Sequence, residues 1–235
     1  MAKHRAVIVG AGRIGAGYNW PGFPYIYTHA DAYLALRERV ELVGFVDPDP
    51  TRAGAACKKY GIRAFTRLSD AMNSLMPNIV SVCTPDATHG AVFRECQDLG
   101  IRNFWMEKPF SGIVSSGVNV QVNLCRRFDE THQAVAKMVK GKKSNLFVWA
   151  RADLTTSCHF EDLVRWWGSE LIYMDNTGES PSTNSYRLET GKWGIDFRNG
   201  GVAGDFMVSA LLNLLDVADG VPGAELLSPP YEDHK

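Results

Sequence analysis

Six residues near the N-terminus, Gly10-Ala11-Gly12-Arg13-Ile14-Gly15, set three glycines at the spacing G-x-G-x-x-G. Each glycine answers a physical need. The first permits a tight turn, the second lets the backbone approach a pyrophosphate, and the third lets the following helix pack close to the preceding strand. The context is the required one, since Ala6-Val7-Ile8-Val9 reads as a buried strand and a helical stretch follows. A second apolar run ends at Asp47. An acid there accepts hydrogen bonds from ribose 2′- and 3′-hydroxyls and repels a 2′-phosphate, which favours NAD over NADP. A plain turn residue before Pro48 is the alternative reading of Asp47. Asp47 stands farther from Gly15 than the usual ~20 residues. The excess lies in Gly17 to Thr28, an insertion carrying Tyr18, Trp20, Phe23, Tyr25 and Tyr27.

The elements that must position these residues are legible as apolar runs. Glu41 to Val46 is a second strand, Asn78 to Cys83 a third and Arg102 to Met106 a fourth, with a minor strand near Arg63-Ala64-Phe65. The stretches Thr51 to Tyr60 and Thr88 to Leu99 carry apolar residues at helical spacing. Strands alternating with helices imply βαβ units, and near-continuous apolar strands imply a parallel sheet covered on both faces. Such sheets bind ligands at the carboxyl ends of their strands. Gly10, Thr84-Pro85 and Glu107-Lys108-Pro109 occupy three of those ends and are expected to line one crevice.

Composition excludes several classes. Hydrophobic residues make up 45%, charged residues 22%, and the formal charge is −1, which argues against a basic nucleic-acid face. No apolar run approaches the roughly 20 residues of a membrane span, and the basic start runs directly into a strand rather than a signal sequence. The five cysteines lack C-x-x-C spacing, so reduced thiols in a cytoplasmic protein and no metal site are expected.

The residues Gly10 to Gly15, Val46-Asp47-Pro48-Asp49, Val82-Cys83-Thr84-Pro85 with His89, and Glu107-Lys108-Pro109 together resemble the Gfo/Idh/MocA family of glucose–fructose oxidoreductase and inositol dehydrogenase relatives. The resemblance covers roughly the first 110 residues. It implies a doubly wound Rossmann domain, residues 1–110, followed by a smaller α+β domain with an open-faced sheet, residues 111–235. It further implies that Gly10, Gly12, Arg13, Ile14, Gly15, Asp47, Thr84, Pro85, His89, Glu107 and Lys108 contact the cofactor, with Thr84 and Pro85 on the nicotinamide side. Lys108 would stabilise a developing alkoxide and assist proton transfer. The Lys108–Pro109 bond is a candidate for the cis form. His89 reads equally as a packing residue at a helix start.

Beyond Pro109 the likeness thins. About ten residues separate Pro109 from the strand pattern Asn119 to Asn123, where relatives place a long helix. A helix from Thr131 to Lys140, a strand from Asn145 to Ala150 and a helical stretch from Phe160 to Trp167 are expected, and Gly220 to Lys235 reads as a tail. Arg126-Arg127-Phe128 resembles a substrate-contacting segment, with a structural ion pair as the equal alternative for Arg127. His159 is the candidate proton acceptor, with Asp162 as a structural acid and Thr155 where relatives place an acid. The competing alignment puts Ser209 at the histidine position. Trp166 and Trp167 are expected in a core or interface. The resemblance implies an NAD-dependent dehydrogenase of a sugar, polyol or nucleotide-linked sugar, assembled as a homo-oligomer, dimer or tetramer. A catalytically degenerate NAD-binding partner or regulator of the same fold is the alternative, and a tetrapyrrole-type reductase a third reading.

Overall fold

In the computed structural model the described residues are 2–17, 26–110, 112–128, 130–139, 146–152, 162–163, 166, 174–176, 184–190, 193–197, 206–224 and 226. His159, Thr155, Trp167, Tyr18, Trp20, Phe23 and Tyr25 lie outside them. The chain divides into two compact units, Met1–Asn123 with Gly204–Lys235, and Leu124–Ala203.

The first unit is built on a six-stranded sheet in the order β3-β2-β1-β4-β5-β6, every pair parallel. The strands are β1 His4–Val9, β2 Val40–Val46, β3 Ala64–Phe65, β4 Ile79–Val82, β5 Asn103–Met106 and β6 Asn119–Val122. Ala6, Val7, Ile8, Ile79, Val80, Val82, Phe104, Trp105 and Met106 are wholly inaccessible, which is why these runs carry no polar alternation. The chain leaves β1 toward β2 and later departs from β4 toward β5, in opposite directions. Right-handed crossovers therefore place helices on both faces, and the order reverses between β1 and β4.

Local chemistry sets the helix ends. Helix α1, Arg13–Ala16, is a single turn stopped by Gly17 in the left-handed region at φ 68. Helix α2, His29–Ala35, is capped by Thr28, whose side chain accepts from the Asp31 N–H. Helix α3, Pro50–Tyr60, has Asp49 as its cap and Pro50 in its first turn. Helices α4, Leu68–Leu75, and α5, His89–Asp98, complete the crossovers. The last helix, α7 (Phe206–Ala218), packs on α2, β5 and β6 and buries Met207, Ala210, Leu211, Leu214 and Leu215.

The expected boundary at residue 110 is therefore displaced. β6 hydrogen-bonds to β5 in register from Asn103–Asn119 to Met106–Val122, so the parallel sheet continues to Asn123. The apolar face of α7 returns the chain to the same unit. Among the described residues the short link before β6, residues 112–118, forms no helix, and Ile113 is 92% exposed.

The second unit holds α6, Glu130–Val139, and a four-stranded sheet in the order β10-β7-β9-β8. Its strands are β7 Leu146–Ala152, β8 Met174–Asn176, β9 Asn184–Thr190 and β10 Trp193–Phe197. β7 and β9 pair antiparallel, as do β8 and β9, while β10 and β7 run parallel. Among the described residues no helix is long and apolar enough to cross a membrane.

Candidate active site at the carboxyl edge of the sheet

Parallel pairing brings the carboxyl ends of β2, β1, β4 and β5 side by side, with Asp47, Gly10, Thr84 and Glu107 at their respective ends. Main-chain bonds fix the edge: Gly10 N–H donates to Val46 O at 2.8 Å, Cys83 N–H to Val9 O at 2.7 Å and Glu107 N–H to Val82 O at 2.9 Å.

The glycine turn is the centre of that edge. Gly10 has φ +99, and a Cβ on it would lie 2.5 Å from the Cys83 carbonyl oxygen. A Cβ on Gly15 would run into the Gly10 carbonyl. Gly12 differs, because nothing lies within 4 Å of where its Cβ would stand. Two of the three glycines are thus required by the fold, and the middle one keeps a space open. The N–H groups of the first helical turn lack intrahelical acceptors, so that space suits a pyrophosphate. Arg13 and Ile14 open α1 beside it, Arg13 exposed and Ile14 half-buried.

Asp47 is 3% exposed, and its carboxylate braces the turn. Oδ2 accepts from the Ala11 N–H at 2.9 Å, and Oδ1 accepts from the Asp49 N–H at 2.9 Å and from Arg52 Nε at 3.2 Å. Of the roughly four lone-pair sites of a carboxylate, these three bonds leave one for a further donor.

On the other side, His89 is 2% exposed, with Nε2 2.7 Å from the Thr84 carbonyl oxygen and Nδ1 2.9 Å from that of Pro109. Carbonyls only accept and a neutral imidazole has a single N–H, so the ring donates to one of the two while its other nitrogen lies against the second, and it bridges the end of β4 and the Lys108–Pro109 turn. Of the two readings of His89, these main-chain partners are those of a packing residue at the start of α5. Its ring nitrogens already face main chain. The Lys108–Pro109 peptide is cis, as expected, and Lys108 is half-buried. Thr84 Oγ1 is buried and has no hydrogen-bond partner among the described residues, so a ligand donor there would satisfy it.

Glu107 also departs from expectation. Instead of facing the open crevice it is 6% exposed and bound from several elements. Oε1 accepts from His29 Nε2 at 3.0 Å and from Asn123 Nδ2 at 2.5 Å, while Oε2 accepts from the Lys108 N–H at 3.3 Å. Burial pushes the Glu107 carboxyl up. The hydrogen bonds from His29 and Asn123 and the nearby charge of Lys108 outweigh it and hold the group below its ordinary value. Cys83 beside it is pushed well up, first by burial and then by the Glu107 charge, so it is an inert thiol.

In the second unit, Arg127 is 4% exposed and paired with Asp162, which is 1% exposed. Arg127 Nε donates to Asp162 Oδ2 at 2.7 Å, and Nη2 donates to Oδ1. The guanidinium lies 5.9 Å from the Trp166 ring. Burial pushes the Asp162 carboxyl up against the opposing hydrogen bond and charge of Arg127. Of the two readings of Arg127, substrate contact and structural ion pair, this geometry is that of the ion pair. Ser209 lies within α7 in the first unit. Among the described residues no group of His, Cys, Asp and Glu is arranged to hold a metal.

The model of an oxidoreductase family with an NAD-binding Rossmann fold, Gfo/Idh/MocA, matches residues 4–135. The chain belongs to this family. An inositol 2-dehydrogenase of Corynebacterium glutamicum (strain R) is 25% identical over 160 residues, covering 63% of this chain and 44% of that protein. The match thus spans less than half the length of that curated relative. In fold the chain is similar to the WlbA dehydrogenase of Bordetella pertussis in complex with NADH and UDP-GlcNAcA (TM-score 0.61, 19% identity, 81% of this chain and 72% of that one). It is also similar to GenD2 from gentamicin A biosynthesis in complex with NAD (TM-score 0.68, 15% identity, 97% and 90%). The matched range includes the sheet edge described above. The residues that sequence reasoning missed are those behind that edge: His29, Ser81, Asn123 and Arg52. His29 carried one weak signal, a histidine immediately after a Thr cap.

Proposed function

We propose that the chain is an NAD-dependent dehydrogenase acting on a secondary alcohol or ketone of a sugar, polyol or nucleotide-linked sugar. One observation carries the reading. The open space at Gly12, the acid Asp47 and the amine-bearing Lys108 turn stand on neighbouring carboxyl ends of one sheet. The residues fit the cofactor, with the first-turn N–H groups of α1 lacking acceptors within the helix, an acceptor at Asp47 and the Thr84 hydroxyl without a partner among the described residues. NAD bound there supplies a hydride acceptor. Lys108, as the ammonium, stabilises charge developing on the substrate oxygen and assists transfer of its proton. His159, outside the described residues, remains the proposed proton acceptor. The relatives' names, an inositol dehydrogenase and an enzyme bound to a UDP-sugar, support polyol and nucleotide-sugar substrates. By the same resemblance we read the protein as a homo-oligomer.

Calorimetric titration with NADH, followed by an NADH-absorbance screen over inositols, polyols and nucleotide sugars, tests the reading. Binding with turnover of one such class is expected. Absence of NADH binding would overturn it. A second reading, an NAD-binding partner or regulator without turnover, is favoured by the closed Arg127–Asp162 pair. Tight NADH binding with no turnover across the screen would select it.

A further inference from the structure

We propose that His29 is a positioning residue for the nicotinamide end of the dinucleotide site, acting through Glu107. The inference rests on the dinucleotide reading above and adds to it a residue remote from the motifs. His29 is wholly inaccessible, opens α2 and stacks on Trp105 with ring centroids 3.7 Å apart. Its Nε2–H donates to Glu107 across 78 residues of chain. Its Nδ1 accepts from the Ser81 hydroxyl at 3.1 Å, and Ser81 Oγ accepts from the Tyr33 hydroxyl at 2.8 Å. A carboxylate only accepts, so with a neutral imidazole one arrangement satisfies all four groups: Tyr33 to Ser81 to His29 to Glu107, every proton pointing toward the carboxylate. The tautomer of His29 is therefore set by a chain that ends on the residue before Lys108.

The consequence for the site follows from connectivity. Glu107 is gripped by α2 through His29, by the end of β6 through Asn123, and by its own turn through the Lys108 N–H. A side chain held at those points leaves the next peptide little freedom to rotate. The turn bearing Lys108 is thus presented at the edge in one orientation. That edge is two strands from Gly10, on the side away from Asp47. A dinucleotide with its pyrophosphate at the glycine turn and a ribose at Asp47 lays its other half toward β4 and β5. His29 accordingly acts on the nicotinamide half and leaves the adenosine half untouched. The His29 end of the bond is wholly inaccessible and Glu107 is buried, so removing the partner leaves the carboxylate short of one donor.

Comparative calorimetry with NADH and ADP-ribose separates the two halves, since ADP-ribose lacks the nicotinamide. Against the wild-type chain, His29→Leu is expected to weaken NADH about tenfold and ADP-ribose less than about twofold, the loss of one charge-assisted bond. His29→Gln places an amide nitrogen near the position of Nε2 and is expected to restore NADH affinity to within about threefold. His29→Asn places its amide near Nδ1 and is expected not to. Leu75→Ala opens a cavity in the helix beside β2, away from the network, and serves as the control for plain destabilisation. Its NADH to ADP-ribose ratio is expected to match wild type. Equal losses of both ligands in His29→Leu, no loss in either, equal rescue by Asn and Gln, or a changed ratio in Leu75→Ala would each overturn the proposal. Should His29→Leu not fold, the Gln and Asn variants decide it. A wild-type chain binding neither ligand would instead overturn the dinucleotide reading itself.

Discussion

The two acids that flank the glycine turn are held in opposite ways. Asp47 takes two of its three donors from within five residues, Asp49 and Arg52, and the third from Ala11. Glu107 takes its side-chain donors from His29 and Asn123, 78 and 16 residues away, with Ser81 and Tyr33 standing behind His29. The first acid joins the start of α3 to the glycine turn through the Ala11 N–H. The second depends on the packing of α2 and β6 against the sheet. A local brace serves the side of the site that recognises a common ligand fragment. A long-range anchor serves the side where a reacting atom must be held in one place, where small misplacement has large effects on rate.

The largest expected effect lies on the Glu107 flank. Lys108→Ala should lower turnover of whichever polyol or nucleotide sugar the screen identifies by about 10²–10⁴-fold, the range for a proton-transfer group. Steady-state rates check this, and unchanged turnover would break the assignment of chemistry to that flank. Next, the two acids should differ in stability. Glu107→Ala leaves buried donors on His29 and Asn123 unsatisfied and should cost about 2–4 kcal/mol, while Asp47→Ala should cost about 1 kcal/mol, since Arg52 is 42% exposed on its side chain and keeps water. Urea unfolding measures both, and equal losses would erase the contrast. Asp47→Ala should also reduce the preference for NADH over NADPH about tenfold, as one charge repulsion is removed.

The glycines offer a finer test. Gly12→Ala has room for its methyl in the fold, so stability should change by less than about 1 kcal/mol while NADH affinity falls about tenfold. Gly15→Ala should instead fail first in stability, because the methyl meets the Gly10 carbonyl. The smallest effect concerns pH. Glu107 titrates below its ordinary value in the folded chain, through burial opposed and outweighed by its His29 and Asn123 partners and the nearby charge of Lys108. Its contribution to stability is therefore present above about pH 4.3 and lost as pH falls through the folded value. The melting temperature of wild type should drop more steeply below about pH 4 than that of Glu107→Gln, and parallel curves would assign the acid sensitivity elsewhere.

The legible part of the site is the part carried by short range. Gly10, Gly15, Asp47 and the four principal strands of the first unit could be placed because backbone strain, strand termination and apolar runs are local properties. The boundary at residue 110 was misplaced for the opposite reason. Asn119-Val120-Gln121-Val122 alternates as if one face met water, yet Gln121 is wholly buried and satisfied by Asn213 of α7 at 2.9 Å. A polar side chain with a distant partner reads as exposed until the partner is known. Arg127 shows the same limit. Its charge and neighbours suit a ligand contact and an ion pair alike, and only the placement of Asp162 beside it separates them.

The sequence by itself determined that the chain folds a parallel α/β sheet with a glycine turn open at Gly12 and an acid at the end of the second strand. Those follow from Cβ sterics and from the exclusion of polar atoms from buried strands. Tertiary structure decided that β6 and α7 belong to that sheet, that His89 bridges two main-chain carbonyls, and that Glu107 points inward to His29. These are pairings of groups far apart in the chain. No residue type announces its hydrogen-bond partner, and desolvation acts only once the pieces have closed around it.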